Sequence, residues 1–139
     1  MTVVFDTNVF VSAAIAQTGS ARRCFVLLAQ RRFQLAVTKH IFMEYETAAE
    51  ELARKPGKYH GIKWRPLFHW VHDQAVYFEP SPLGKQRSRD ADDDIFLACA
   101  LASGAKVIVS HDKDLLELEK PFGIEILKPT TFVARMKVI

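Results

Sequence analysis

Short apolar runs alternate with longer segments of helical spacing along this chain, and that alternation predicts a parallel α/β sheet. Val3 to Phe5, Leu35 to Val37, Ala75 to Phe78 and Val107 to Val109 read as strands, with a weaker fifth over Ile124 to Leu127. The runs are apolar throughout rather than alternating with polar residues, the pattern of strands buried on both faces. Between the strands, Val9 to Ile15 forms an apolar helical stretch. Ser20 is placed to cap a helix from Ala21 to Gln30, in which Cys24, Leu27 and Leu28 share a face. Thr38 is placed to cap a longer helix from Lys39 to about Arg54, with Ile41, Phe42, Tyr45 and Ala49 inward. Trp64 to Val71 carry Leu67, Phe68 and Val71 at helical spacing. A polar loop follows Pro80 and Pro82, then Asp92 to Ser103 read as a strongly apolar helix that Gly104 stops. Strand and helix alternating in this way imply a three-layer α/β/α arrangement around a mostly parallel sheet of four to five strands.

Composition narrows the class. The 139 residues suit one domain, 1–139, with a genuine core, and 49% hydrophobic with 25% charged content fits a globular chain. No apolar run reaches the eighteen or so residues needed to cross a bilayer, and the N-terminus lacks the pattern of a secretory leader, so a cytoplasmic protein is expected. Cys24 and Cys99 both fall in apolar helical stretches and form no spaced metal motif, which reads as core packing. A net charge of +3 and a pI near 9.0 favour a nucleic-acid partner only slightly. Where the charges lie is more telling than their sum.

The acids gather at element ends. Asp6 follows the first strand directly, at the sheet edge where open α/β folds bind ligands; capping the next helix is its structural alternative. Asn8 stands two residues on, as a neutral oxygen donor or a support for Asp6. Glu44 lies about a turn into the helix after the second strand and so faces the same edge, with Glu46 its rival and Glu50 and Glu51 too far along. Asp90, Asp92, Asp93 and Asp94 crowd one helix start. The helix dipole rewards an acid there by roughly 0.3–1 kcal/mol, but four in five residues repel one another unless a cation is present. Asp94 sits on the first turn, aimed across the edge, and Asp90 reads as a cap or loop anchor. Asp112 follows the fourth strand after Ser110 and His111, with Asp114 two residues later; one of the pair reads as a cap and the other as a ligand. Carboxylates without a spaced Cys/His set favour Mg²⁺ or Mn²⁺ over Zn²⁺. Such a cage orients an attacking water, lowers its pKa and stabilises the leaving oxygen of a phosphodiester.

Three stretches carry a family likeness. Val4-Phe5-Asp6-Thr7-Asn8-Val9, then Arg89 to Ala98, then Val109-Ser110-His111-Asp112-Lys113-Asp114-Leu115-Leu116 resemble, in order and spacing, the motifs of PIN domains, in particular the toxin-like PIN proteins of type II toxin–antitoxin systems. The third motif departs from the family in placing His111 where a small Gly is common. The resemblance implies a Mg²⁺- or Mn²⁺-dependent endoribonuclease cutting single-stranded RNA. It implies catalytic residues Asp6, Glu44, Asp94 and Asp112, with Asp6, Asp94 and Asp112 on the metal. Asp93 replaces or assists Asp94, Asp114 shares the role of Asp112, and Asn8 and Ser110 support the acids. An antitoxin protein as partner and a homodimer, usual in the family, are implied as well.

Basic residues would then serve the RNA backbone. Arg54, Lys55 and Lys58 flank the middle loop with Lys63 and Arg65, and Arg87 and Arg89 approach the acidic helix start. Tyr59 and Trp64 lie among the first group, as stacking platforms or as core residues. A rival reading of another class keeps the fold but makes the protein a catalytically weak RNA-binding or protein-interaction module. A phosphotransfer fold with Asp6 as nucleophile does not fit: haloacid-type phosphatases need a second Asp where this chain has Asn8, and response-regulator receivers carry their phosphate-accepting Asp after a later strand.

Overall fold

Val3, Val4 and Phe5 are fully buried, as are Leu35, Ala36 and Val37, so the strands they form have both faces covered. The computed structural model describes residues 1–137. Its strands are β1 (Thr2–Phe5), β2 (Gln34–Val37), β3 (Val76–Tyr77), β4 (Val107–Val109) and β5 (Glu125–Leu127). They form one sheet in the order β3-β2-β1-β4-β5, and every pairing is parallel. All five expected strands are present. The third is shorter than expected, reduced to two exposed residues at a sheet edge.

The helices are α1 (Thr7–Ile15), α2 (Ser20–Ala29), α3 (Lys39–Arg54), α4 (Arg65–Gln74), α5 (Asp94–Ser103), α6 (Lys113–Leu116) and α7 (Pro129–Lys137). α5 lies on β1, β2 and β4, which explains why almost its whole circumference is apolar. The other helices are joined by aromatic rings. Phe5 meets Phe25 of α2, Phe33 and Phe132 of α7 edge to face, at centroid distances of 5.1, 5.6 and 6.3 Å. Phe10 of α1 stacks flat on Tyr45 of α3 at 5.1 Å. Phe42 of α3 stacks on Phe68 of α4 at 4.2 Å.

Local signals account for most helix ends. The Thr38 hydroxyl accepts from the Ile41 N–H at 3.1 Å, the expected cap of α3. Gly104 takes φ 72° after α5, a left-handed stop that costs glycine little. At α2 the cap is displaced: Gly19, at φ 115°, turns the chain and Ser20 is already helical. Trp64 likewise precedes α4 rather than opening it, and is buried. A 3₁₀ turn, Ala91–Asp93, replaces the expected first turn of the helix from Asp92, so α5 begins at Asp94. α7 was not expected at all.

Candidate metal centre

β2 and β3 lie on one side of β1, and β4 and β5 on the other. Successive connections therefore diverge between β1 and β4, and the carboxyl ends there border the crevice where sheets of this kind take ligands. Phe5 pairs with Val109 in register, and the Asp6 N–H donates to the Val109 carbonyl at 2.9 Å. Asp6 and Ser110 thus emerge side by side.

Asp6 takes the N-cap position of α1, but its side chain makes no capping hydrogen bond there. Instead Asp6 Oδ2 accepts from the Ser110 hydroxyl at 2.6 Å, and the same hydroxyl accepts from the Asp112 N–H at 2.8 Å. Ser110, itself fully buried, ties the two acids together. Asp6 is 4% exposed. Burial, with smaller contributions from the Asp112 and Glu44 charges, pushes its carboxyl up to about 6 against the lowering effect of Ser110.

Asp112 and Asp114 share the work foreseen for one or the other. Asp112 caps α6, its Oδ1 accepting from the Asp114 N–H at 2.8 Å. Both also join Asp93 in a trio whose carboxylates each bring an oxygen within 4.8 Å of the others. At that separation two full charges repel by roughly 3 kcal/mol, so the trio calls for protons or a cation. Asp93 is 7% exposed, and its Oδ2 has no hydrogen-bond partner. Burial and the adjacent Asp112 carboxylate raise its proton affinity well above the ordinary range. An unpartnered buried carboxylate oxygen facing two more carboxylates fits a hard divalent cation. Two oxygens on one Mg²⁺ lie at most about 4.2 Å apart, so only a few tenths of an ångström of closure is needed.

Asp94 does not point across the edge. Its Oδ2 accepts from the Arg87 N–H at 2.7 Å and its Oδ1 from the Ser88 N–H at 2.6 Å. Both oxygens face the loop before the helix, and Asp93, one residue earlier, turns toward Asp112 and Asp6 instead. The 3₁₀ turn before α5 sets these directions, because adjacent residues on a helix face different ways.

Glu44 does reach the site's margin. Its Oε2 accepts from the Thr7 hydroxyl at 3.5 Å, and its Oε1 stands 3.7 Å from His40 Nε2. Its carboxyl is raised chiefly by burial, while His40 acts to lower it. The neighbouring Tyr45 fixes the helix: its hydroxyl donates to the Phe5 carbonyl, at the end of β1. Glu46 is exposed, as are Asn8 and His111. Thr7, part of the first motif but given no role there, meets Glu44; its sequence signals are that motif and a hydroxyl beside Asp6.

The basic residues divide into two groups. Arg89 pairs with Glu117 at 2.9 Å and approaches Asp114 at 3.8 Å, at the acids' border. Arg87 lies over the Phe122 ring at 4.9 Å and donates to the Leu83 carbonyl at 3.1 Å. Arg54 ends α3, about 15 Å along the helix from Glu44, and Lys55 and Lys58 follow it. They lie at the far end of α3, where Arg54, Lys63 and Arg65 line a cleft of about 540 Å³. Trp64 there is core, with the Arg65 guanidinium 4.6 Å from its ring. Cys24 and Cys99 are buried and unpaired, and burial pushes each thiol up to about 12, so neither offers a thiolate.

No helix is long and apolar enough to cross a membrane among the described residues. No curated protein matches the chain in sequence. In structure it is similar to PAE2754 from Pyrobaculum aerophilum, with a TM-score of 0.68 and 20% identity, over 100% of this chain and 91% of that one. That likeness is one of fold. The sequence also matches the family described as PIN domain over residues 2–114. PIN domains are a nuclease fold and usually use a divalent metal, in keeping with the acidic trio. With most of its length matched, from β1 through the start of α6, this chain belongs to the PIN domain family.

Proposed function

We propose that this protein is a Mg²⁺- or Mn²⁺-dependent endoribonuclease that cuts single-stranded RNA in the cytoplasm. The observation that carries the reading is the unpartnered, buried Asp93 Oδ2 beside Asp112 and Asp114, with Asp6 tied to Asp112 through Ser110. Asp6, Asp93, Asp112 and Asp114 hold the cation; Asp93 takes the place first expected of Asp94. When bound, the ion lowers the pKa of an attacking water and offsets charge on the leaving oxygen. Glu44, held by Thr7 at the margin, is placed to orient that water or accept its proton. Ser110 fixes the orientation of Asp6, and Asp94 fixes the loop that carries Arg87 and Arg89. Arg89 meets the phosphate next to the cut, and Arg54, Lys55 and Lys58 contact RNA farther along.

The protein is further proposed to act as the toxin of a toxin–antitoxin pair, as a homodimer restrained by an antitoxin protein. The support is the likeness of its three motifs to toxin-like PIN proteins. The deciding assay measures cleavage of single-stranded RNA with Mn²⁺, comparing wild type with Asp6→Asn. The substitution is expected to slow cleavage at least about 100-fold. Cleavage at the wild-type rate by a nuclease-free preparation of the variant would contradict the reading. Induced expression should slow growth for wild type and not for the variant if the toxin role holds.

A further inference from the structure

α3 exposes an unexpected side chain one residue before Glu44. Met43 is 55% exposed, although Ile41, Phe42 and Tyr45 around it are buried. It lines two clefts. One, of about 380 Å³, shares Thr7 and Glu44 with the candidate metal centre and continues to Thr47. The other, of about 300 Å³, runs past His40 to Phe78. Met43 and His40 line both, so the clefts adjoin as one trough that begins at Thr7 and Glu44.

We infer that this trough is a nucleobase subsite: it receives the unstacked base of the nucleotide beside the scissile phosphate. The inference rests on the nuclease reading above and adds to it where the base goes. Met43 offers a polarisable, apolar surface suited to the flat face of a heterocycle. The Thr47 hydroxyl and His40 imidazole line the trough, where hydrogen bonds can tell one base from another. The charges exclude the alternative of a phosphate in the trough. Glu44, Glu51 and Glu79 line its walls against the single lysine Lys39, so a neutral base fits and a phosphate is repelled. A docked protein would want a broad apolar patch, whereas Met43 is the one large apolar side chain exposed by more than a third in either cleft. Continuity with Thr7 and Glu44 joins whatever occupies the trough to the reacting phosphate.

The test combines one substitution with one altered substrate. Met43→Ala is compared with wild type on a single-stranded RNA of defined sequence, and on the same RNA made abasic on either side of the cut. Met43 is exposed and alanine favours helix, so the variant folds; Mn²⁺ titration and thermal melting should match wild type. On intact RNA the variant should raise KM about tenfold with kcat nearly unchanged. For wild type, removing the base on one side of the cut should raise KM similarly, and for Met43→Ala it should add little, because both changes remove one contact. The variant's base preference next to the cut should flatten as well. A variant with wild-type KM and preference, or two losses that multiply, would overturn the subsite while leaving the nuclease intact. Wild type that binds Mn²⁺ yet cleaves no RNA would overturn the nuclease reading and the subsite with it.

Discussion

Asp93 and Asp94 are neighbours of the same chemistry with opposite employment. Asp94 spends both oxygens on backbone N–H groups of Arg87 and Ser88, and Asp93 leaves one buried oxygen unpartnered. Asp94→Asn should therefore keep metal affinity and lose about 1–3 kcal/mol of stability, measured by urea unfolding with chelator present. Asp93→Asn should weaken Mn²⁺ binding strongly and make the chelated protein no less stable, since it relieves repulsion in the trio. At this scale the sequence was partly legible. Asp6, Asp112 and Ser110 follow strands, and a strand end has one address, so their convergence could be read directly. A run of four acids at a helix start has no such address. Which one faces the crevice depends on a 3₁₀ turn and on the path of the loop before it, and neither leaves a local pattern.

Two contacts of α3 decide where Glu44 stands. Thr38 caps its first turn, and Tyr45 bonds its second turn to the end of β1. Thr38→Ala should cost about 1 kcal/mol of stability, read as a lower urea midpoint. Tyr45→Phe should cost about 1–3 kcal/mol, because the buried Phe5 carbonyl loses its donor, and should slow RNA cleavage as Glu44 loosens. The cap was visible beforehand because Thr38 sits directly between a strand run and an amphipathic one. α7 was not: its Phe132, Val133 and Met136 make little more than one period, and Pro129 before them reads as a break as easily as a start. What holds it is Phe5 and Phe33, roughly a hundred residues away in the chain. β3 is shorter than expected: Val76 and Tyr77 pair with Ala36 and Val37, and the Phe78 N–H still donates to the Val37 carbonyl at 2.9 Å.

Across the whole molecule, sheet order concentrates negative charge at the carboxyl ends of β1 and β4, where the chain connections diverge, and metal, pH and stability are linked through it. Asp6 has a folded value of about 6 against an ordinary 3.8, so its proton is held more tightly in the folded chain. Its contribution is fully present below about pH 3.8 and is lost as pH rises through about 6, a loss on the order of 3 kcal/mol. Thermal melts in chelator should accordingly show this component of stability falling between about pH 4 and 6, and excess Mn²⁺ at neutral pH should restore it by binding the folded state alone. The basic residues show what sequence order conceals at this scale. Arg54 and Arg89 read as one kind of backbone contact, yet Arg89 borders the acids while α3 carries Arg54 about 15 Å along the helix from Glu44. The most direct measurement is a calorimetric titration of Mn²⁺ into wild type, Asp93→Asn and Asp94→Asn at neutral pH. Convergence of Asp6, Asp93, Asp112 and Asp114 on one ion predicts binding by wild type and Asp94→Asn, with Asp93→Asn weakened at least tenfold. Equal binding by Asp93→Asn and wild type, or none by wild type, would contradict it.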